Sequence, residues 1–410
     1  MTDIAPILAA LRRHKIIACL VVLEIAFTCA VICNAGFLIV ERIERVQRPS
    51  GMADDMLVRL QLSAAKRGDQ DALAQTRTDL AALRAIPGVQ SATVISQIPF
   101  GDSSSNSGVN LRQDQETPTL DASVYLAGPD ALPTLGLTLV GGRDFTAHDY
   151  IDWVPGTNPG ELNIPAAIIT QAMAERLFPG ESAVGRQFYS WGGEPTRVVG
   201  VVQRLTRPSE TDDPSDMDYS MLFPVAVPYT SGANYLLRVA PGQRETVLEQ
   251  ATAVLRQSGP PRILGVNNGT IEALRDRYYR DDKAMAGLLA LICVLLLAIT
   301  ATGIIGLASF WVQQRTRSIG IRRALGATRL QILRYFQTEN LLLTLLGSLS
   351  GAMLAVALNL LLMQFYEVPR LPLGYLLLGL AVLVPLGQLA ILHPALKATR
   401  VAPATATRSA

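Results

Sequence analysis

The chain has 410 residues, with 36 Lys and Arg against 34 Asp and Glu, a net charge of +2. So even a balance excludes a dedicated nucleic-acid binder, which carries a basic excess. Apolar residues are 49% and charged residues only 17%, which excludes a disordered chain and points to a membrane protein.

Residues 1–15 carry Arg12, Arg13 and Lys15 against Asp3. Residues 16–40 are then predominantly apolar and carry one charge, Glu24. A hydrocarbon core of about 30 Å needs about 20 helical residues, so this run predicts a first transmembrane helix. It exceeds the roughly 7–15 residues of a signal-peptide core, so it reads as a span rather than a leader. Glu24 lies roughly 12 Å deep by helical rise. An acid at such a depth faces protein or water. It is either a functional intramembrane acid, acting as a gate or a cation's partner, or a structural hydrogen-bonding group.

Residues 41–283 are water-soluble in character and long enough for a core of their own, with two subdomains expected. A helix is predicted over 69–86, where Ala72, Leu73, Thr76, Leu80 and Leu83 follow helical spacing and Pro87-Gly88 ends it. Strands are predicted over 89–95, 123–126, 166–170, 197–202 and 235–239, and helices over 171–178 and 243–257. Residues 101–108 read as a Ser- and Gly-rich loop and 209–218 as an acidic one. Intermixed strands and helices make this an α+β domain. Residues 270–283 look helical and run without a breaker into the next apolar stretch, predicting one continuous rod, the alternative being a helix that breaks near Asp281-Asp282.

Three further spans follow, over 284–312, 336–363 and 373–392, joined by a loop at 313–334 and a short loop at 364–372. In the third, Gly347 and Gly351 form a small-xxx-small surface for close helix approach, either between two copies of the chain or within one. Pro385 is expected to kink the fourth. The loop carries Arg315, Arg317, Arg322, Arg323, Arg329 and Arg334 without an acid, and the tail at 393–410 carries Lys397, Arg400 and Arg408. The positive-inside rule places this loop and both termini in the cytoplasm and 41–283 outside. The fold class is therefore an integral membrane protein, with four transmembrane helices and a large α+β domain inserted between the first and second.

Cys19, Cys29, Cys33 and Cys293 all fall in predicted spans, so the exterior domain has no disulfide framework. His14, His148 and His393 are scattered, and no metal-ligand spacing occurs. Ser103 to Ser105 lie near Asp102, but His148 is the lone exterior histidine, so no hydrolase constellation forms. The acidic loop does not have EF-hand spacing. No GxxxxGK[ST] phosphate loop surrounds Lys15, Lys66, Lys283 or Lys397.

The loop at 313–334 alternates apolar and basic residues at helical spacing. By composition it is a lipid-contacting anchor, a docking element for a soluble partner, or a solvated loop. Here the sequence becomes specific. IGIRRALGATRLQIL, residues 319–333, resembles the signature loop of the MacB and FtsX family of ABC-transporter permeases. LPTLGLTLVGGRDFTAHD (132–149), AAIITQAMAERLFPGESAVGRQF (166–188) and RVVGVV (197–202) resemble that family's periplasmic core domain, and HPALKATRVAPATATR (393–408) resembles its closing stretch.

The resemblance implies a non-catalytic permease subunit of a mechanotransmission complex in a bacterial inner membrane. It implies a second permease chain, identical or homologous, and a dimeric ABC ATPase that binds ATP and Mg and is expected on a separate polypeptide. It also implies a coupling helix that docks on that ATPase, carried here by Ser318, Ile319, Gly320, Ile321, Arg322, Arg323, Ala324, Leu325, Gly326, Ala327 and Thr328. Family loops usually have Glu where this chain has Ser318. MacB-like relatives drive an adaptor protein and an outer-membrane duct for efflux, lipoprotein-releasing relatives extract lipidated cargo, and FtsX-like relatives regulate periplasmic partners.

Overall fold

Long apolar runs fold as long helices, and among its described residues the computed structural model contains four of them. The structure describes residues 15–64, 71–101, 103–153, 162–190, 194–211, 213–366 and 369–399. The basic residues Arg12, Arg13, Arg400 and Arg408, and also Asp102 and Lys66, lie outside the described residues.

In chain order, α1 (Lys15–Gln47) precedes β1 (Leu57–Ala64), α2 (Ala72–Arg84), β2 (Val89–Ile95), β3 (Asn106–Val109), β4 (Leu120–Leu126), α3 (Ala131–Leu135), β5 (Leu139–Gly142), β6 (Ile151–Asp152) and β7 (Ala166–Thr170). Next come α4 (Gln171–Leu177), β8 (Gln187–Phe188), β9 (Thr196–Val202), β10 (Ser220–Phe223), β11 (Val225–Ala226), β12 (Asn234–Val239), α5 (Arg244–Gln257), β13 (Arg262–Leu264), β14 (Gly269–Thr270) and α6 (Ile271–Tyr278). The chain closes with α7 (Arg280–Gln314), α8 (Thr316–Ala324), α9 (Arg329–Tyr366) and α10 (Leu373–Thr399). The helices α1, α7, α9 and α10 are long and apolar enough to cross a membrane, and the α+β domain lies between the first two of them, the architecture expected. Two compact units result, residues 48–280 and the helices on either side of them.

In the domain, β1 is the centre of an antiparallel sheet ordered β13-β1-β12-β2, with β14 also on β1. A second sheet is mixed, ordered β3-β4-β10-β7-β9-β5 with β8 on β9. Its β4–β10 and β7–β9 pairs are parallel and its β10–β7 pair antiparallel. Leu60, Val94 and Leu237 from the first sheet join Ile169, Val198 and Phe223 from the second in one buried cluster. Asp79 is fully buried beneath it, paired with Arg262 and accepting a 2.7 Å hydrogen bond from Tyr235 Oη. A buried carboxylate is stable only when matched in this way.

Two expectations change. The Ser- and Gly-rich stretch does not stay a loop, because Asn106–Val109 pairs antiparallel with Leu120–Ser123 as an edge strand. Pairing with a neighbour, rather than propensity, decides such a strand. The rod expected over 270–312 is two helices, since α6 ends at Tyr278 and α7 begins at Arg280.

In the bundle, Gly347 and Gly351 pack α9 against α1 of the same chain. A Cβ on Gly347 would sit 2.7 Å from Ile25 Cβ, and one on Gly351 would sit 2.5 Å from Cys29 Cβ. Polar side chains bridge the helices: Asn34 Nδ2 donates to Ala355 O at 3.1 Å, Asn340 Nδ2 to Gly387 O at 2.8 Å, and Thr28 and Thr300 share a 2.8 Å bond. Arg42 pairs with Asp282, joining the ends of α1 and α7. Pro385 and Pro394 both lie within α10, which runs through them to Thr399.

Candidate functional site

The Arg-rich stretch folds as a short helix, α8, set off from its neighbours by two defined turns. At its start, Arg315 is a single non-helical residue between α7 and α8, with φ −99° and ψ 7°. At its end, Gly326 has φ +96°. Ala327 N donates to Arg322 O at 3.0 Å and Gly326 N to Arg323 O at 3.1 Å. These are the paired bonds of a Schellman motif, which places glycine in the left-handed position because a Cβ is disfavoured there. Thr328 and Gln331 then form a capping box for α9. Thr328 N donates to Gln331 Oε1 at 2.8 Å, and Gln331 N to Thr328 Oγ1 at 3.3 Å.

The helix has an inner and an outer side. Ile319 and Gly320 are buried, and Ile319 joins Ala308, Val312, Ile332, Phe336 and Ile391 in an apolar cluster. Arg323 and Ala327 are half-buried. Ser318, Ile321, Arg322, Ala324, Leu325, Gly326 and Thr328 are exposed. Leu325 is 83% and Ile321 49% exposed, and their i, i+4 spacing sets both on one side of the helix beside basic residues. Ser318 Oγ donates to Arg315 O at 3.2 Å, so its hydroxyl is engaged within the helix's own first turn. The Arg322 guanidinium stacks 5.0 Å from the centroid of the Tyr335 ring, a cation–π contact that fixes its direction.

What holds α8 in place was not legible from spacing. Arg315 Nη1 donates to both carboxylate oxygens of Glu339 on α9, and its guanidinium lies 5.6 Å from the Trp311 ring centroid. The pair roots the loop in the bundle. The one sign of Glu339 in the sequence is an acid and an amide, Glu339-Asn340, at the head of an apolar run.

The other candidates sit apart from this loop. Glu24 is half-buried on α1 against α7, where a Cβ on Gly303 would come 2.5 Å from Glu24 Oε1. A residue without a side chain makes room for the carboxylate. Gly347 and Gly351 serve the α1–α9 contact described above.

Residues 30–254 match the family model described as MacB-like periplasmic core domain, and residues 290–403 that described as FtsX-like permease C-terminal. The chain is 28% identical over 259 residues to the macrolide export ATP-binding/permease protein MacB of Shewanella sp. (strain W3-18-1), an overlap covering 59% of this chain and 38% of that protein. It is 27% identical over 281 residues to the uncharacterized ABC transporter permease YknZ of Bacillus subtilis (strain 168), covering 67% of this chain and 64% of that one. Among solved structures, the periplasmic region of MacB from Actinobacillus actinomycetemcomitans aligns at 16% identity and a TM-score of 0.33, over 57% of this chain and 97% of that one.

Proposed function

The chain belongs to the family of membrane permeases with a MacB-like periplasmic core domain and an FtsX-like C-terminal region, and from that membership we propose that it transmits ATP-driven motion across the bacterial inner membrane to that domain. The observation that carries this reading is the outer side of α8, with Ile321 and Leu325 exposed among arginines on a turn fixed at both ends. An apolar tip in a basic rim suits a groove on a soluble, acidic-rimmed partner. That partner is an ABC ATPase dimer on a separate chain, which holds ATP and Mg. Residues 318–328 are the coupling element, with Ile319 and Gly320 as its root and Ile321, Arg322 and Leu325 as its contact side.

In this reading two permease chains flank the ATPase, and both termini and α8 face the cytoplasm. ATPase closure moves α8, and α7 and α1 carry the motion to the core domain. The work done is export of a compound from the periplasm, with an adaptor and an outer-membrane duct as partners. The macrolide-export name of the MacB relatives supports that choice of class.

Affinity purification of the full chain from its native membrane tests the reading. Recovery of an ABC ATPase that Leu325→Asp abolishes supports it. Recovery of the ATPase undiminished by that substitution contradicts it, and recovery of a cell-wall hydrolase in place of an adaptor replaces export with signalling.

A further inference from the structure

We propose that Phe100 and Arg275 are positioning residues for transmission, clamping the helix break at Tyr279 to the segment by which the chain enters the core domain. The proposal rests on the function proposed above and adds to it the place where motion is passed on.

Phe100 stands where glycine is usual. Its φ is +64°, and among the described residues only Asp130 shares a positive φ without being glycine. Gly101 N donates to Ile98 O at 3.1 Å, closing the turn Ile98-Pro99-Phe100-Gly101. Proline in the second place and a positive φ in the third is the pattern of a type II turn, whose third place favours glycine. A bulky residue held there is strained, and surrounding contacts must hold it.

Those contacts all lead to the domain's exit. The Phe100 ring is 6% exposed and meets Tyr278 and Tyr279 edge-to-face, with centroids at 5.8 and 5.7 Å. Tyr278 and Tyr279 meet each other at 4.9 Å. Tyr279 is the one residue between α6 and α7, and it is 1% exposed. No glycine or proline occurs at this break, so side-chain packing supplies its cause.

Arg275 ties the same cluster to the domain's entrance. Its guanidinium lies 5.3 Å from the Phe100 centroid. It donates to Arg48 O at 2.6 Å and to Asp54 Oδ2 at 2.9 Å. Asp54 in turn accepts from Ser50 Oγ at 2.6 Å. Entrance residues 48–54 therefore meet exit residues 275–279 through one guanidinium, which the strained Phe100 ring holds from the other side. With the clamp closed, a displacement of either connection is a displacement of both. With it open, the break at Tyr279 is a free hinge and the motion is lost there.

Hydrogen exchange on the full chain, in nanodiscs with its ATPase, tests this. Phe100→Gly keeps the turn and removes the ring; Arg275→Gln keeps a donor and removes the charge. Both are expected to speed amide exchange over residues 275–283 at least tenfold and to abolish nucleotide-dependent exchange changes in the core domain. ATPase acceleration by the chain is expected to persist. Wild-type exchange over 275–283 in both variants would overturn the clamp. So would a nucleotide response that survives in the core domain. A wild-type chain that fails to accelerate the ATPase contradicts the proposed function instead, and exchange over 275–283 still decides the clamp.

Discussion

Arg315 reaches from the junction of α7 and α8 to Glu339, a carboxylate 1% exposed on α9, and one guanidinium nitrogen donates to both of its oxygens at 2.9 and 3.0 Å. The two residues are far apart in sequence, and their pairing fixes the direction in which α8 leaves the bundle. Leaving either charge buried alone is costly.

Glu339→Ala should therefore lower the chain's stability by about 3 kcal/mol, the usual scale for stranding one member of a buried pair, seen as a lower thermal midpoint in detergent. Replacing both, Arg315→Met with Glu339→Leu, should return most of that stability while ATPase acceleration stays lost. Recovery of acceleration in the double variant would reduce the pair to a packing role.

Gly326 offers a test of the turn. At φ +96° an L side chain costs about 1 kcal/mol. Gly326→Ala should loosen the register between α8 and α9 and lower ATPase acceleration a few-fold, with little change in expression. Gly326→Asn, which tolerates the left-handed region better, should lose less. Equal losses in the two variants would argue against a conformational cause.

The α1–α9 seam predicts a contrast between two glycines. Gly351→Val collides with Cys29 and Ala26 across the seam, whereas a Cβ on Gly374 would meet nothing within 4 Å beyond its own helix. The first substitution should cost about 1–3 kcal/mol, the usual price of overpacking, and Gly374→Val should be close to neutral. Thermal midpoints of the two variants in one detergent decide this.

A pH dependence follows from the turn at Asp149. Hydrogen bonds from Arg143, at 2.6 and 3.1 Å, hold its carboxyl well below the ordinary aspartate value of 3.8, with Thr146 N and Oγ1 adding to the effect. A depressed carboxylate contributes stability that is full above the unfolded value and is lost as pH falls through the folded one. Asp149→Asn should thus lower the thermal midpoint at pH 7, and the gap to wild type should narrow from about pH 4 downward. A gap independent of pH would show that the charge is not what Asp149 contributes.

The legible parts of this molecule are those with local causes. Apolar length marked α1, α7, α9 and α10, and a β-branched or apolar run bounded by turns marked Val89–Ile95 and Ala166–Thr170 at their observed limits. β1 went unread although Val58, Leu60 and Leu62 alternate with Arg59, Gln61 and Ser63. Arg59 disguised it, since that side chain is buried and satisfied by Asn234 Oδ1 at 2.6 Å. The break at Tyr279 and the root of α8 at Glu339 were hidden for a further reason. Each depends on a partner distant in sequence, Phe100 in one case and Arg315 in the other, and no local pattern announces such a pair. Residues 318–328 were singled out through the family's loop signature, while the division into a buried root and an exposed side came from packing alone.

The most direct test of the account is the ATPase rate of the cognate nucleotide-binding protein reconstituted with this chain carrying Arg322→Glu and Leu325→Asp. Both side chains lie on the exposed side of α8, so the bundle itself should remain folded. The account predicts that the rate falls to that of the ATPase without a permease. A wild-type rate in the double variant would contradict it, because α8 would then not be where the two proteins meet.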